Sequence, residues 1–118
     1  METLDQFNFR ADAGWSSEHD LVGYHAQATD GSMGKVIETS HATGESYLVL
    51  KTGALMFGHK VMIPAGTVSH IDHSDHTVYL DRSRAQVNAG PDFDPDSYTR
   101  PDYRNRLGEY YNDTYRAA

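Results

Sequence analysis

The residues best suited to chemistry in this sequence are histidines that lie near one another around the middle of the chain. They are His59, His70, His73 and His76. Aspartates stand at positions 72 and 75, between the last three of these histidines. Imidazole and carboxylate groups together suit a divalent cation such as zinc or nickel. One hypothesis is therefore a metal-responsive or metal-binding protein.

The elements that must position these histidines do not favour a tight metal site. A spacing of three residues suits one face of a helix, whereas residues 67–72 read as a strand that leads into a turn at 73–76. Side chains alternate along a strand, so His70 and His73 are expected on opposite faces unless the turn rotates them. Exposed turn histidines are the simpler interpretation, and we expect no cofactor.

Other catalytic patterns are missing from the sequence. The chain has no cysteine, which excludes a thiolate nucleophile and a zinc–sulfur site. Ser32 lies between Gly31 and Gly34, which is not the GxSxG context of an activated serine. No glycine-rich phosphate cradle precedes a helix. We therefore expect a protein that is not an enzyme.

An acidic run, DFDPD at residues 92–96, looks superficially like a calcium-binding loop because its aspartates alternate. The glycine at the sixth position and the terminal glutamate of such a loop are absent. We therefore interpret the run as a solvated linker that leads the chain into its C-terminal tail.

Charge is unevenly distributed along the chain, whose net charge is −7. Residues 1–20 contain five acids and one base, and residues 88–118 contain six acids and four bases. The middle, residues 21–87, is nearly neutral, with six acids and five bases. A nucleic-acid partner needs a basic stripe, so we expect none. The acidity is most simply a source of solubility.

The sequence shows no sign of export or of membrane insertion. Its start, METLDQFNFRADAG, lacks the basic region and apolar run of a signal peptide. No apolar segment approaches the ~20 residues that are needed to span a bilayer. We expect a cytoplasmic protein without membrane insertion.

Short apolar runs separated by turns predict an all-β domain. Six strands are predicted, at residues 21–29, 35–41, 46–52, 60–63, 67–72 and 77–81. A turn at residues 30–34 joins the first two strands, with Asp30, Gly31 and Gly34 as its turn residues. Pro64 ends the fourth strand because it cannot donate to a sheet ladder. Strands this short, with a turn about every 8–12 residues, predict a sandwich or a closed barrel.

The predicted domain organisation has three parts. Residues 1–19 form a polar N-terminal extension, residues 20–90 the β domain, and residues 91–118 an aromatic C-terminal tail. Ser83 is expected to cap a short helix after the last strand. Pro101 suits the start of a second helix, which makes the tail partly helical.

Two apolar features are candidates for an interface between proteins. A loop between the third and fourth strands contains four apolar residues in a row, Ala54 to Phe57, and the tail helix would place tyrosines and a leucine on one face. The candidate residues are Leu55, Met56, Phe57, Tyr103, Leu107, Tyr110 and Tyr111. A plug that closes one end of the barrel is the alternative interpretation of the loop.

Several stretches together resemble the PRC-barrel domain over roughly residues 20–90. They are LVGYHAQATDGSMGKV, SYLVLKTG, FGHKVMIPAGTVSHID and TVYLDRSRAQV. The most specific parts are the DGSMGKV turn and the KVMIPAGTVSHID stretch. The tail resembles that of small free-standing bacterial members. The resemblance implies a small closed six-stranded, SH3-like barrel with a short helix after it.

The same resemblance implies a function. PRC barrels form the cytoplasmic domain of the photosynthetic reaction-centre H subunit and the C-terminal domain of the ribosome maturation factor RimM, where they dock other proteins. This sequence lacks the transmembrane helix of the first and the N-terminal partner domain of the second. We therefore expect a non-enzymatic protein–protein interaction or adaptor module, which forms a homodimer and binds an unidentified protein partner.

Overall fold

Within residues 7–42, 44–52 and 59–117, which the computed structural model describes, the chain forms a six-stranded sheet and two α-helices. The strands are β1 (His25–Ala28), β2 (Gly31–Ser40), β3 (Tyr47–Thr52), β4 (His59–Pro64), β5 (Val68–Asp72) and β6 (Thr77–Leu80). A 3₁₀ turn (Ala65–Thr67) joins β4 to β5, and the helices are α1 (Arg84–Asn88) and α2 (Pro101–Ala117).

The predicted closed barrel is wrong, because the sheet is open in the described part of the chain. Its strand order is β4-β3-β2-β1-β6-β5, so β4 and β5 are the two edges. Neighbouring strands are antiparallel except β1 and β6, which are parallel. After Pro64 the chain turns a corner through Ala65–Thr67, and β5 pairs with β6 instead of returning to β4. The result is a mixed sheet.

The hairpin between β1 and β2 is tighter than predicted. Only Thr29 and Asp30 connect the strands, whereas Gly31 and Gly34 lie within β2. The turn assignment of Gly34 is therefore wrong. Asp30 accepts a hydrogen bond from the Arg84 amide at 2.9 Å, so the turn positions the start of α1.

Both faces of the β3–β4 pair carry buried residues. Because side chains alternate along a strand, the buried residues fall into two sets on opposite faces: Leu48, Leu50, Val61 and Ile63 on one, Val49 and Met62 on the other. The helix α2 contacts β4 and contributes Tyr103, Leu107 and Tyr111 to the same core. The tail is thus part of the fold.

Both predicted helix starts are confirmed. Ser83 caps α1: its hydroxyl accepts a hydrogen bond from the Gln86 amide at 3.1 Å, and the Gln86 side chain accepts one from the Ser83 amide at 2.9 Å. This reciprocal capping box satisfies two amides that the helix leaves unpaired. α2 begins at Pro101, where a missing amide proton costs nothing. Within the described residues, neither helix is long and apolar enough to cross a bilayer.

Part of the N-terminal segment packs on the sheet. The Ile71 amide donates to the Ala13 carbonyl at 2.8 Å, and the Ser46 amide donates to the Phe7 carbonyl at 2.9 Å. Phe9 stacks on Trp15 with ring centroids 5.4 Å apart. Residues 7–15 therefore cover part of the β5 edge.

Candidate docking surface

Three lysines lie side by side across the sheet. Lys35 on β2 pairs with Lys51 on β3, and Lys51 pairs with Lys60 on β4. All three side chains are exposed, and they are all the lysines of the chain. His25 on β1 pairs with Lys35 and continues the line on a fourth strand. We call Lys35, Lys51 and Lys60 the lysine row.

The lysine row is electrostatically unfavourable in isolation. Cross-strand partners hold their Cβ atoms about 4.5–5.5 Å apart, and like charges at that distance destabilise a sheet. The ion pairs among the described residues all use arginines, so no described carboxylate neutralises the row. An anionic group from another molecule would relieve this repulsion.

The strands around the row are short of acids. β1, β2, β3 and β4 contain a single carboxylate, that of Glu38. It accepts hydrogen bonds from the Tyr47 hydroxyl at 3.1 Å and from the Tyr98 hydroxyl at 3.0 Å. Glu38 is thus engaged with two tyrosines, and it forms no ion pair with a described lysine.

A cavity of about 450 Å³ adjoins the row. Its lining consists of His25, Ser32, Met33, Gly34, Lys35, Ile37 and Lys51. Pairing between β2 and β3 shifts between Val36 and Glu38, which leaves Ile37 without a partner and 37% exposed. Bulges of this kind redirect side chains at binding sites. The cavity therefore combines apolar surface with two of the three lysines.

The Tyr47 hydroxyl makes stability sensitive to alkaline pH. Burial and the hydrogen bond to Glu38 raise the pKa of Tyr47 from 10.0 to about 12. Folding therefore favours the neutral phenol, and this contribution is complete below pH 10 and is lost as pH rises from 10 to about 12. We expect the melting temperature to fall across that range, and to fall less in Tyr47→Phe. Equal slopes for the two proteins in calorimetry would contradict the assignment.

The four histidines of the metal hypothesis are not brought together. His70 packs on Tyr79 with centroids 6.0 Å apart, and His59 begins β4 opposite Thr52. His73 instead stacks on His19 at 3.9 Å. Within the described residues, no three histidine, aspartate or glutamate side chains gather in a group that could hold a metal ion.

His73 has a structural task that the sequence does not reveal. Its Nδ1 lies 2.9 Å from the Tyr24 hydroxyl, and its Nε2 lies 2.8 Å from the Gly14 carbonyl. The ring of His76 meets the edge of Tyr24 at 5.1 Å. These contacts attach the N-terminal segment to the turn between β5 and β6.

The tail residues proposed for an interface pack inside their own chain. Tyr103, Leu107 and Tyr111 are each 1% exposed, so they are not accessible to a second copy in this structure. Tyr110 is half-buried and donates a hydrogen bond to the Gln86 carbonyl. The other three candidates, Leu55, Met56 and Phe57, lie outside the described residues.

The comparison with known proteins leaves the chain unassigned. No protein-family model matches it, and no curated protein does. The resemblance to PRC barrels therefore stays a prediction from the sequence motifs. What the structure adds is the alignment of the three lysines, which stand in three different stretches of the sequence and are brought together by the register of three strands.

A sequence signal for part of the row was present. Lys51 and Lys60 stand symmetrically about residues 53–58, so a regular hairpin would pair them. Lys35 gives no such signal, since its partner depends on how β2 aligns with β3 past an irregularity. Because the chain has three lysines in all, two of them at paired positions of one hairpin stand out in the sequence.

Proposed function

We propose that this protein is a non-enzymatic protein–protein interaction module, and that the lysine row and its cavity form the surface that meets the partner. The observation that carries the proposal is the alignment of all three lysines on adjacent strands without a described carboxylate partner. The docking role implied by the PRC-barrel resemblance agrees with it. A cytoplasmic location is part of the same proposal.

The size and charge of the surface favour a protein over a nucleic acid or an anionic membrane. Strands are spaced about 4.8 Å apart, so the row spans roughly 10 Å, which suits two or three carboxylates. A net charge of −7 repels an extended polyanion at long range. The adjoining cavity can take an apolar side chain from the same partner segment.

The cavity's polar groups suit ligand contacts better than catalysis. Ser32 and His25 both line it, but no hydrogen bond joins their side chains within the described residues. An activated serine needs a base within hydrogen-bond reach and a third group that orients the base. The described lining offers two lysines instead, which are the groups that recognise an anion.

Affinity capture from the native cell tests the proposal. The bait is the full chain, compared with a variant in which Lys35, Lys51 and Lys60 are all glutamine and with a control in which all three are arginine. We expect the wild type and the arginine control to retain the same protein, and the glutamine variant to lose it, in nuclease-treated extract. Equal capture by all three baits, or capture that nuclease abolishes, would contradict the proposal.

A further inference from the structure

The cavity beside the lysine row has an apolar wall that comes from two irregular positions of β2. Pairing of β2 with β1 passes over Met33, and pairing of β2 with β3 passes over Ile37. Each of these residues is therefore an extra residue of its strand, as in a β-bulge. Both line the cavity of about 450 Å³. The two irregularities thus give one cavity two apolar side chains.

The exposure of Ile37 has a different setting from the other exposed aliphatic side chain. In the described part of the chain, the large hydrophobic residues that are exposed are Val22 and Ile37. A single exposed apolar residue on a protein surface is ordinary, which accounts for Val22. Ile37 instead lies with Met33 in a concave site, and an apolar cleft of this kind is typical of a small-molecule site.

The polar groups of the cavity lining are basic or neutral. Lys35 and Lys51, which pair across β2 and β3, contribute two ammonium groups, and Ser32 and His25 contribute a hydroxyl and an imidazole. None of the described lining residues carries a carboxylate. An anion in this cavity would be attracted by both ammonium groups and would also offset the repulsion between them.

The size and charge of the cavity narrow the class of ligand. Small-molecule sites usually occupy about 300–1,000 Å³ and combine an apolar lining with a few polar groups that orient the ligand. At about 450 Å³, this cavity lies in the lower part of that range. The net charge of −7 disfavours a doubly charged head group relative to a singly charged one. A molecule with an aliphatic body and one carboxylate fits these properties.

We propose that this cavity binds an aliphatic monocarboxylate, such as a medium-chain fatty acid. The hydrocarbon chain lies against Met33 and Ile37, and the carboxylate lies between the amines of Lys35 and Lys51. Because these two amines also belong to the proposed docking surface, the bound molecule competes with the protein partner. The inference thus adds a regulator to the docking surface, and this regulatory part rests on the proposed function.

Calorimetric titration of the full chain with octanoate tests the ligand site. We expect saturable binding of one molecule per chain, with a dissociation constant below about 1 mM. Across hexanoate, octanoate and decanoate, each step of two methylene groups should lower the dissociation constant about tenfold, because each buries more hydrocarbon. Octan-1-ol, which has the same chain length and no charge, should bind at least about tenfold more weakly.

Variants separate the cavity from the rest of the lysine row. Lys35→Gln combined with Lys51→Gln should raise the dissociation constant for octanoate at least about tenfold. Lys60 belongs to the row but does not line the cavity, so Lys60→Gln should change it less than about threefold. Ile37→Gln should raise it about tenfold, whereas the matched exposed substitution Val22→Gln should not. Circular dichroism confirms that each variant is folded.

The ligand site would be overturned by any of three results. They are the absence of saturable octanoate binding up to about 5 mM, octan-1-ol that binds as tightly as octanoate, and wild-type affinity in the variant that lacks both lining lysines.

Affinity capture repeated with octanoate tests the competition. Saturating octanoate should lower the lysine-dependent capture of the partner at least about fivefold, whereas acetate, which has the same head group without the chain, should not. Undiminished capture with octanoate bound would overturn the regulatory role. Lysine-dependent capture without octanoate binding would reject the inference and leave the proposed function standing. Octanoate binding with capture that ignores the lysines would support the ligand site and reject the proposed function.

Discussion

Gly34→Ala is expected to destabilise the fold by about 4 kcal/mol or more, because the added methyl group has no room beside the neighbouring strand. Gly34 has φ +122°, a backbone conformation that other residues rarely adopt. A Cβ at this position would lie 2.0 Å from the Lys51 carbonyl oxygen and 2.9 Å from its carbon. Since these are backbone atoms of the neighbouring strand, β2 and β3 would have to separate.

The matched control for this substitution is Gly23→Ala. Gly23 has φ +94°, but an added Cβ meets no atom within 4 Å. Gly23→Ala should therefore lower the unfolding free energy only by the cost of placing alanine in a left-handed backbone conformation, about 1–2 kcal/mol. Urea unfolding of both variants measures the difference. Equal losses of unfolding free energy would show that the close approach to Lys51 does not constrain the sheet.

Asp81→Asn is expected to lower the unfolding free energy by about 3 kcal/mol, because it removes the charge that compensates a buried guanidinium. Arg82 is 2% exposed and forms an ion pair with Asp81, which also pairs with Arg10. Arg82 further donates to the Tyr111 carbonyl at 2.8 Å and to the Thr114 hydroxyl at 2.7 Å. This network connects the N-terminal segment, the end of β6 and α2.

An exposed ion pair supplies the control for this change. Glu45 pairs with Arg104 at 2.9 Å, and its side chain is well exposed. Glu45→Gln removes the same kind of charge and should cost less than about 1 kcal/mol. Denaturant unfolding of the two variants at neutral pH compares them. A loss in Asp81→Asn no larger than that in Glu45→Gln would show that Arg82 does not need its carboxylate.

Local features of the fold were readable from the sequence. Ser83 and Gln86 form a capping box within three residues, and Pro101 precedes a run with helical spacing, so both helix starts follow from neighbours in the chain. The strands follow from apolar alternation. The overall strand order does not, because β1 pairs in parallel with β6 through residues that are distant in sequence, such as His25 and Thr77, and β4 and β5 are left as the two edges.

The proposed docking surface likewise depends on contacts between residues that are distant in sequence. Gly34 was assigned to a turn because glycines are common there, whereas its real constraint is the backbone of Lys51, 17 residues away. Lys35, Lys51 and Lys60 stand alone in the sequence and meet only through strand register. Of the histidines, which are close in sequence, His73 and His76 both contact Tyr24, whereas His70 packs on Tyr79.

The most direct measurement of the docking surface is the acylation rate of its lysine amines. Because the chain's lysines all belong to the row, an amine-reactive ester followed by peptide mass spectrometry reads that surface alone, apart from the N-terminus. We predict that Lys35, Lys51 and Lys60 react several-fold more slowly in native-cell extract than in dilute purified protein, and that high salt removes the difference. Equal rates for all three lysines in both conditions would contradict the claim that this surface meets a protein partner.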